Sequence, residues 1–307
     1  MKRVIPIVLL ILMLFSASAE IEFTDSSGSV ISLPEVPRNV CVLFSSFAEM
    51  WTLAGGEINI TVYESIERGF ASDDCILVDG GAGKNVDVET LILSNPDLVI
   101  GSMDIPAHVS AVKMLDKAGI PTALFRVESI EDYVSVMDTL TDITGNKDAY
   151  YEHAQEVFSR CAEIIEKASV RCEDAPSILF VRSGSGYSSA KAKTAMQHFA
   201  ADMLEDLGAK NIADEIPVIL DGLSFEEILM KDPNVIFISL MGNEEKAKAY
   251  MTGVLESRNW QMLTAVREGR VYFLEKEMFQ YKPNARWDEA YETLYRMLYS
   301  EAENDEE

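Results

Sequence analysis

Long apolar runs are scarce in this 307-residue sequence. The one that stands out, Val4 to Phe15, follows Lys2 and Arg3 and ends at Ala17-Ser18-Ala19. Basic, apolar, then small residues is the order of a secretory signal, with cleavage expected after Ala19. The run is too short and wrongly flanked for a membrane span, although an uncleaved anchor is the alternative. The exported chain is expected to be soluble and extracytoplasmic, and no cysteine stands near the cleavage point to carry a lipid anchor. Positive charge is also in short supply: 26 Lys and Arg face 51 Asp and Glu, a formal net charge of −25. Such a surface repels nucleic acid and anionic headgroups, so neither is expected as a partner. The tail Glu301 to Glu307 adds to the excess and reads as a solvated end.

Histidine is rarer still. His108, His153 and His198 are the 3 present, on or beside predicted helices and not at metal-ligand spacing. A site for bare zinc or manganese would need several such ligands together with carboxylates. Cysteine is limited to Cys41, Cys75, Cys161 and Cys172, none in a zinc pattern. An oxidising compartment permits disulfides, and the local choice among the possible connectivities is Cys41–Cys75 with Cys161–Cys172. Two glycine-rich segments miss the motifs they approach. Gly80-Gly81-Ala82-Gly83-Lys84 lacks the spacing and the hydroxyl of a phosphate loop, and suits a turn where backbone nears a ligand. Ser183-Gly184-Ser185-Gly186 would need glycine at Arg182 to be a nucleophile elbow. No set of nucleophile, base and orienting residue can be fixed from the spacing, so an enzyme is not expected.

What the chain does contain, twice, is one segment. Residues 88–100 read VETLILSNPDLVI and residues 225–237 read FEEILMKDPNVIF. They align without a gap, Glu89 with Glu226, Leu91 with Ile228, Pro96 with Pro233 and Val99 with Ile236. Each predicts a short helix, a proline stop and an apolar strand, because proline disfavours helix in the residue before it and cannot donate to a ladder. Two related α/β lobes with a cleft between them follow, although such units are common enough to recur by chance. Strands are predicted at 39–44, 58–63, 76–78, 98–100 and 122–125, then at 177–181, 235–239 and 271–274. Their alternation with helices implies mainly parallel sheets. Between the halves, Gly145-Asn146 ends a helix, and Lys147 to Ser169 runs without Gly or Pro. Its Ala154, Val157, Phe158, Cys161, Ile164 and Ile165 keep three–four spacing. It reads as one long connector helix, the alternative being a surface helix inside one domain. The expected organisation is a signal at 1–19, a first lobe at 20–143, a connector at 144–171, a second lobe at 172–300 and a tail at 301–307.

In open α/β sheets, ligands lie beyond the carboxyl ends of the strands. That nominates Ser45, Ser46, Phe47, Tyr63 and Gly81 in the first half, and Arg182, Tyr187, Met241, Phe279 and Tyr281 in the second. A guanidinium at a strand end holds a carboxylate or phosphate by paired bonds. For Arg182 the alternative is a structural ion pair with one of the many acids. Tyr187, Phe279 and Tyr281 offer an aromatic wall, whereas Trp260 suits core packing better.

Several features together carry a resemblance: the doubled helix-Pro-strand element, the Gly145-Asn146 break, Trp260-x5-Val266-x3-Arg270-Val271-Tyr272, and Lys282-Pro283-x2-Arg286 before a last helix. Residues 37–300 resemble the binding proteins of ABC importers for ferric siderophores, haem and cobalamin. The resemblance implies two lobes bridged by one helix and a metal chelate or tetrapyrrole held between them. It implies no protein cofactor and no catalysis, and a monomer that passes its solute to an ABC permease. Ser45-Ser46-Phe47-Ala48-Glu49 departs from the family pattern by lacking its proline and threonine. Family docking acids, one per lobe, would fall nearest Asp104 and Glu244 or Glu245. An exported enzyme on the same scaffold and a chelate-sensing protein are the alternatives. By steering alone, the acidic surface mildly favours a neutral or cationic solute.

Overall fold

The two copies of the repeat fold alike, down to their backbone strain. The structure, a computed structural model, describes residues 20–79, 85–171, 175–186, 189–216 and 223–299. In the first copy, helix Val88–Leu93 is followed by Asn95 at φ 46° and Pro96, then a strand from Leu98. In the second, helix Phe225–Lys231 is followed by Asp232 at φ 43° and Pro233, then a strand from Val235. Proline bars right-handed helical backbone at the preceding residue, and Asn and Asp tolerate the left-handed alternative best after glycine. The residue after proline repeats its role too. Asp97 Oδ2 accepts the backbone N–H groups of Arg38 and Asn39 at 2.9 and 2.8 Å, and Asn234 Oδ1 accepts that of Ser177 at 2.9 Å. Leu91 and Ile228, equivalent in the two copies, are both fully buried. Conformation and ties recur along with the residue pattern, so the repeat is structural.

Strands are numbered in chain order. β1 (Ile21–Thr24) and β2 (Val30–Leu33) form an antiparallel hairpin. β3 (Val40–Val42), β4 (Ile60–Thr61), β5 (Ile76–Leu77), β6 (Leu98–Ser102) and β7 (Thr122–Phe125) make a parallel sheet in the order β5-β4-β3-β6-β7. β8 (Ser177–Ser183), β9 (Lys191–Ala192), β10 (Lys210–Asn211), β11 (Val235–Leu240) and β12 (Val271–Leu274) make the second. Its order is β10-β8-β11-β12, parallel, with β9 added antiparallel to β8. Each repeat strand, β6 or β11, is an interior strand of its sheet, paired with β3 or β8, the first strand of that sheet in the chain. The molecule is the expected pair of α/β lobes.

The connecting segment is helical throughout: Lys147–Tyr150 is α, Tyr151–Gln155 is π and Glu156–Ser169 is α again. Gly145 ends the preceding helix at φ 74°, and the Asn146 side chain caps the next by accepting the Ala149 N–H. Ala154, Val157, Cys161 and Ala168 are buried in one core cluster that also holds Val42 and Ile100 of the first sheet and Phe180 and Phe237 of the second. Helix Trp287–Tyr299 is tied to this segment by Arg160 Nε on Asp288 at 2.5 Å and by the Lys167 ammonium over the Tyr295 ring at 4.3 Å.

Three expectations need correction or fall elsewhere. Tyr63 is not the end of a strand but the start of helix Tyr63–Glu67, because its N–H donates to Asp79 Oδ2 at 3.1 Å from a distant loop. Cys41 and Cys75 are free thiols, not a disulfide. Cys41 lies on β3 and Cys75 just before β5, with β4 between them. Two strand spacings of about 4.8 Å each exceed the Cα reach of a bridge, about 7 Å. Cys161 is likewise a free, buried thiol, pushed up to about 12 by burial. Cys172, Gly81, Tyr187, the leader and the acidic tail lie outside the described residues. Among the described residues no helix is long and apolar enough to cross a membrane.

Candidate functional site

Parallel strands end together, so the loops beyond their carboxyl ends meet. Here those ends surround a cavity of about 600 Å³, within the range of small-molecule sites. Leu43, Phe44 and Ser45 follow β3, Val62 and Glu64 follow β4, and Asp104 to Ala107 follow β6. Pro106 opens the helix Pro106–Lys117, where its missing N–H is no loss. From the second lobe come Arg182 near the end of β8, and Gln280 and Tyr281 beyond the short helix after β12.

Glu64 organises one wall. It accepts the Ser45 hydroxyl on Oε2 at 2.6 Å and the Tyr281 hydroxyl on Oε1 at 3.0 Å. Behind it, the Arg68 side chain is only 7% exposed. Its guanidinium lies under the Tyr281 ring at 4.0 Å and the Phe70 ring at 4.7 Å, and Nη1 donates to Ser45 Oγ at 3.1 Å. Glu49 at 3.7 Å and Glu277 at 3.5 Å balance its charge. Asn284 completes the seam by donating from Nδ2 to the Ser46 carbonyl at 2.9 Å and to Glu49 at 2.8 Å. Burial pushes the Glu49 carboxyl up, against the pull of Asn284 and Arg68. Lys282 is largely enclosed and pairs with Glu128 at 2.9 Å; desolvation lowers its ammonium while Glu128 opposes the shift. Residues 277–284 thus belong to the second half of the chain but bond to the first lobe.

Of the residues nominated from sequence, Ser45, Arg182 and Tyr281 line the cavity. Ser46 is buried at the seam. Phe47 and Phe279 are each 2% exposed, and Phe47 packs edge-on to Phe44 and Phe125 in the core. The aromatic lining is therefore Phe44 with Tyr281, since the loop that places Tyr281 turns Phe279 inward. Tyr63 is 48% exposed and outside the lining, although its neighbours Val62 and Glu64 are in it. Met241 bonds through its N–H to the Ser183 carbonyl at 2.8 Å and does not reach the lining. Trp260 is core, beside Phe225. Asp104 lines the cavity and is held by Arg126 at 2.6 Å, whereas Glu244 and Glu245 are exposed in the first turn of helix Glu244–Leu255.

His108 and His198 are buried and neutral. Each accepts a backbone N–H on Nδ1, from Ser102 at 3.0 Å and Ala200 at 3.2 Å, and burial lowers both, His108 to about 4. Among the described residues, no group of His, Cys, Asp and Glu is placed to hold a metal ion. Sequence reasoning missed Arg68, which carries no local signal.

A cavity walled by two lobes, with polar groups and an aromatic face, suits a small solute. The sequence matches the family described as periplasmic binding protein over residues 40–278, and the chain belongs to that family. No curated protein matches the sequence. Among solved structures the fold is similar to the periplasmic catecholate-siderophore binding protein VctP from Vibrio cholerae, with TM-score 0.70 and 18% identity over 92% of this chain and 99% of that one. It is also similar to Staphylococcus aureus SirA complexed with staphyloferrin B, with TM-score 0.68 and 16% identity over 92% and 98%. S. aureus IsdE complexed with heme gives TM-score 0.68 and 16% identity over 85% and 98%.

Proposed function

We propose that this protein is exported, captures a metal chelate of the ferric siderophore, haem or cobalamin kind between its lobes, and delivers it unchanged to an ABC permease. The single observation that carries this reading is the cavity of about 600 Å³ at the facing carboxyl ends of both sheets, in a chain of the periplasmic binding protein family. By their own descriptions, solved structures of the same fold hold staphyloferrin B, a complex of acinetobactin with ferric iron, or heme. The chelate fills its own coordination sphere, so walls of Phe44, Tyr281 and hydrogen-bonded polar groups suffice. The lobes are taken as 20–143 and 172–300, joined by 144–171, after removal of residues 1–19.

The test is calorimetric titration of residues 20–307 with ferric siderophores, haem and cobalamin. Trp51, Trp260 and Trp287 are buried and none lines the cavity, so heat is a safer readout than their fluorescence. Saturable binding of one class at micromolar affinity or tighter, with the ligand recovered chemically intact, is expected. No binding by any of them, or recovery of a converted product, would overturn the reading. Docking is assigned to Asp104 and to Glu244 and Glu245. Because Asp104 also lines the cavity, the cleaner variant is Glu244→Lys with Glu245→Lys. It should leave solute affinity within about twofold and impair uptake in cells, since exposed charges contribute little to folding. Normal uptake by that variant would remove these acids from docking.

A further inference from the structure

Cations are outnumbered about two to one in this chain, 26 against 51. Arg126, Lys147, Arg160 and Lys282 each sit against a carboxylate. Arg182, Lys191 and Lys193 do not: among the described residues none of them makes an ion pair or a side-chain hydrogen bond. Yet the three converge. In the β8–β9 pair Arg182 stands directly opposite Lys191, so their side chains leave the same face of the sheet. Lys193 is two residues further along and returns to that face. Like charges placed directly opposite repel. Burial lowers the Lys193 ammonium, and the charges of Arg182 and Lys191 lower it further.

Arg182 lines the cavity, and its Nε is buried without a hydrogen-bond partner. Among the described residues, the one acid whose charge favours the Arg182 guanidinium is Glu128, and it is already paired with Lys282 at 2.9 Å. Arg182 is thus desolvated without an ion pair of its own, which is costly to hold. The acids on the cavity wall are already engaged, Glu64 by Ser45 and Tyr281 and Asp104 by Arg126. The strong ionic need left in the cavity is therefore for negative charge, beside β8.

We propose that Arg182 on the cavity wall, with Lys191 and Lys193 beside it on the same face of the sheet, forms an anion-recognition patch at the second-lobe side of the cavity, and that the solute is a chelate whose ionised oxygens, carboxylate or catecholate, turn toward that patch. Its apolar part then meets Phe44, Ile105 and Pro106. The proposal rests on the solute-carrier reading above and specifies its ligand class. It reverses the expectation from net charge, because screening confines the surface field to about 8 Å at physiological salt while the ribbon acts at contact.

The experiment is calorimetry on residues 20–307 with ferric citrate and haem as carboxylate probes, a ferric tricatecholate, a ferric trihydroxamate and cyanocobalamin. An anionic complex should bind at least about tenfold more tightly than the trihydroxamate or cobalamin, as expected for charge-assisted bonds. Its affinity should fall with added salt. Arg182→Gln should weaken it by about tenfold or more, while the melting temperature of the unliganded variant stays equal or rises. A structural ion pair would instead lower that temperature. Lys191→Gln with Lys193→Gln repeats the test should Arg182→Gln not fold. Tightest binding of the trihydroxamate or cobalamin, unaffected by these substitutions, would overturn the anion face and leave the carrier reading standing. Binding of iron-free citrate as tight as ferric citrate would retain the anion face and overturn the chelate. No binding of any probe would overturn both.

Discussion

Single residues here are decided by what surrounds them. Asp202, half-buried on helix Phe199–Asp206, is pushed up to about 6 by burial, with Asp206, Glu205, Glu131 and Glu128 adding to the effect. A carboxyl raised in the folded state binds a proton more tightly there than when unfolded. Its favourable contribution is thus complete below the unfolded value near 4, and is lost as pH rises through about 6. Asp202→Asn should therefore raise stability at pH 7.5 by about 1 kcal/mol, after allowance for solvent screening, and give no advantage at pH 4. Denaturant melts at the two pH values check this, and an equal effect at both would remove repulsion as the cause. The carboxylate and its helix neighbours Glu205 and Asp206 are plain in the sequence, but Glu128 and Glu131 come from a distant segment.

At the scale of elements, the repeat was legible because proline leaves a mark that no packing can override. β7 and β12 coincide with the segments expected from apolar runs, 122–125 and 271–274. Ala195 to Leu207 contains no Gly or Pro, yet the helical backbone is interrupted at His198, which is extended and whose side chain caps Phe199–Asp206. Nothing local announces that break, nor the π turn in the connecting helix. The two left-handed residues of the repeat should respond differently to glycine. Asn95 makes no side-chain bond to another element, so Asn95→Gly should be near neutral, while Asn95→Ala should cost about 1 kcal/mol from the left-handed backbone. Asp232 also accepts the Thr264 N–H at 2.8 Å and the Thr264 hydroxyl at 2.6 Å. Asp232→Gly should therefore cost about 1–3 kcal/mol more than Asn95→Gly. Equal stabilities of the two glycine variants in urea would show that the Thr264 contacts contribute nothing.

For the whole molecule, the question is how far the two lobes act as one. One core cluster runs from the first sheet through the connecting helix into the second sheet. The segment bearing Tyr281, Lys282 and Asn284 bonds back across the seam. Both features predict that the lobes unfold together, in one calorimetric transition whose van't Hoff and calorimetric enthalpies agree. Two resolved transitions would mean that the shared core does not couple them. Doubling, the alternation of strands with helices and the carboxyl-end rule were available from the sequence, because proline, apolar periodicity and chain direction act within a few residues; the order of strands within each sheet was not. Ser45 and Arg182, which sit near strand ends, were available too, as was Tyr281, in the segment that follows the last strand. The sequence could not say that Phe279 turns inward while Tyr281 turns out, that Cys41 and Cys75 are kept apart by a strand, or that Glu128 pairs with Lys282 and leaves Arg182 without an ion pair of its own. Those outcomes depend on which distant side chains become neighbours when the two sheets close on one core, and only the tertiary structure decides that.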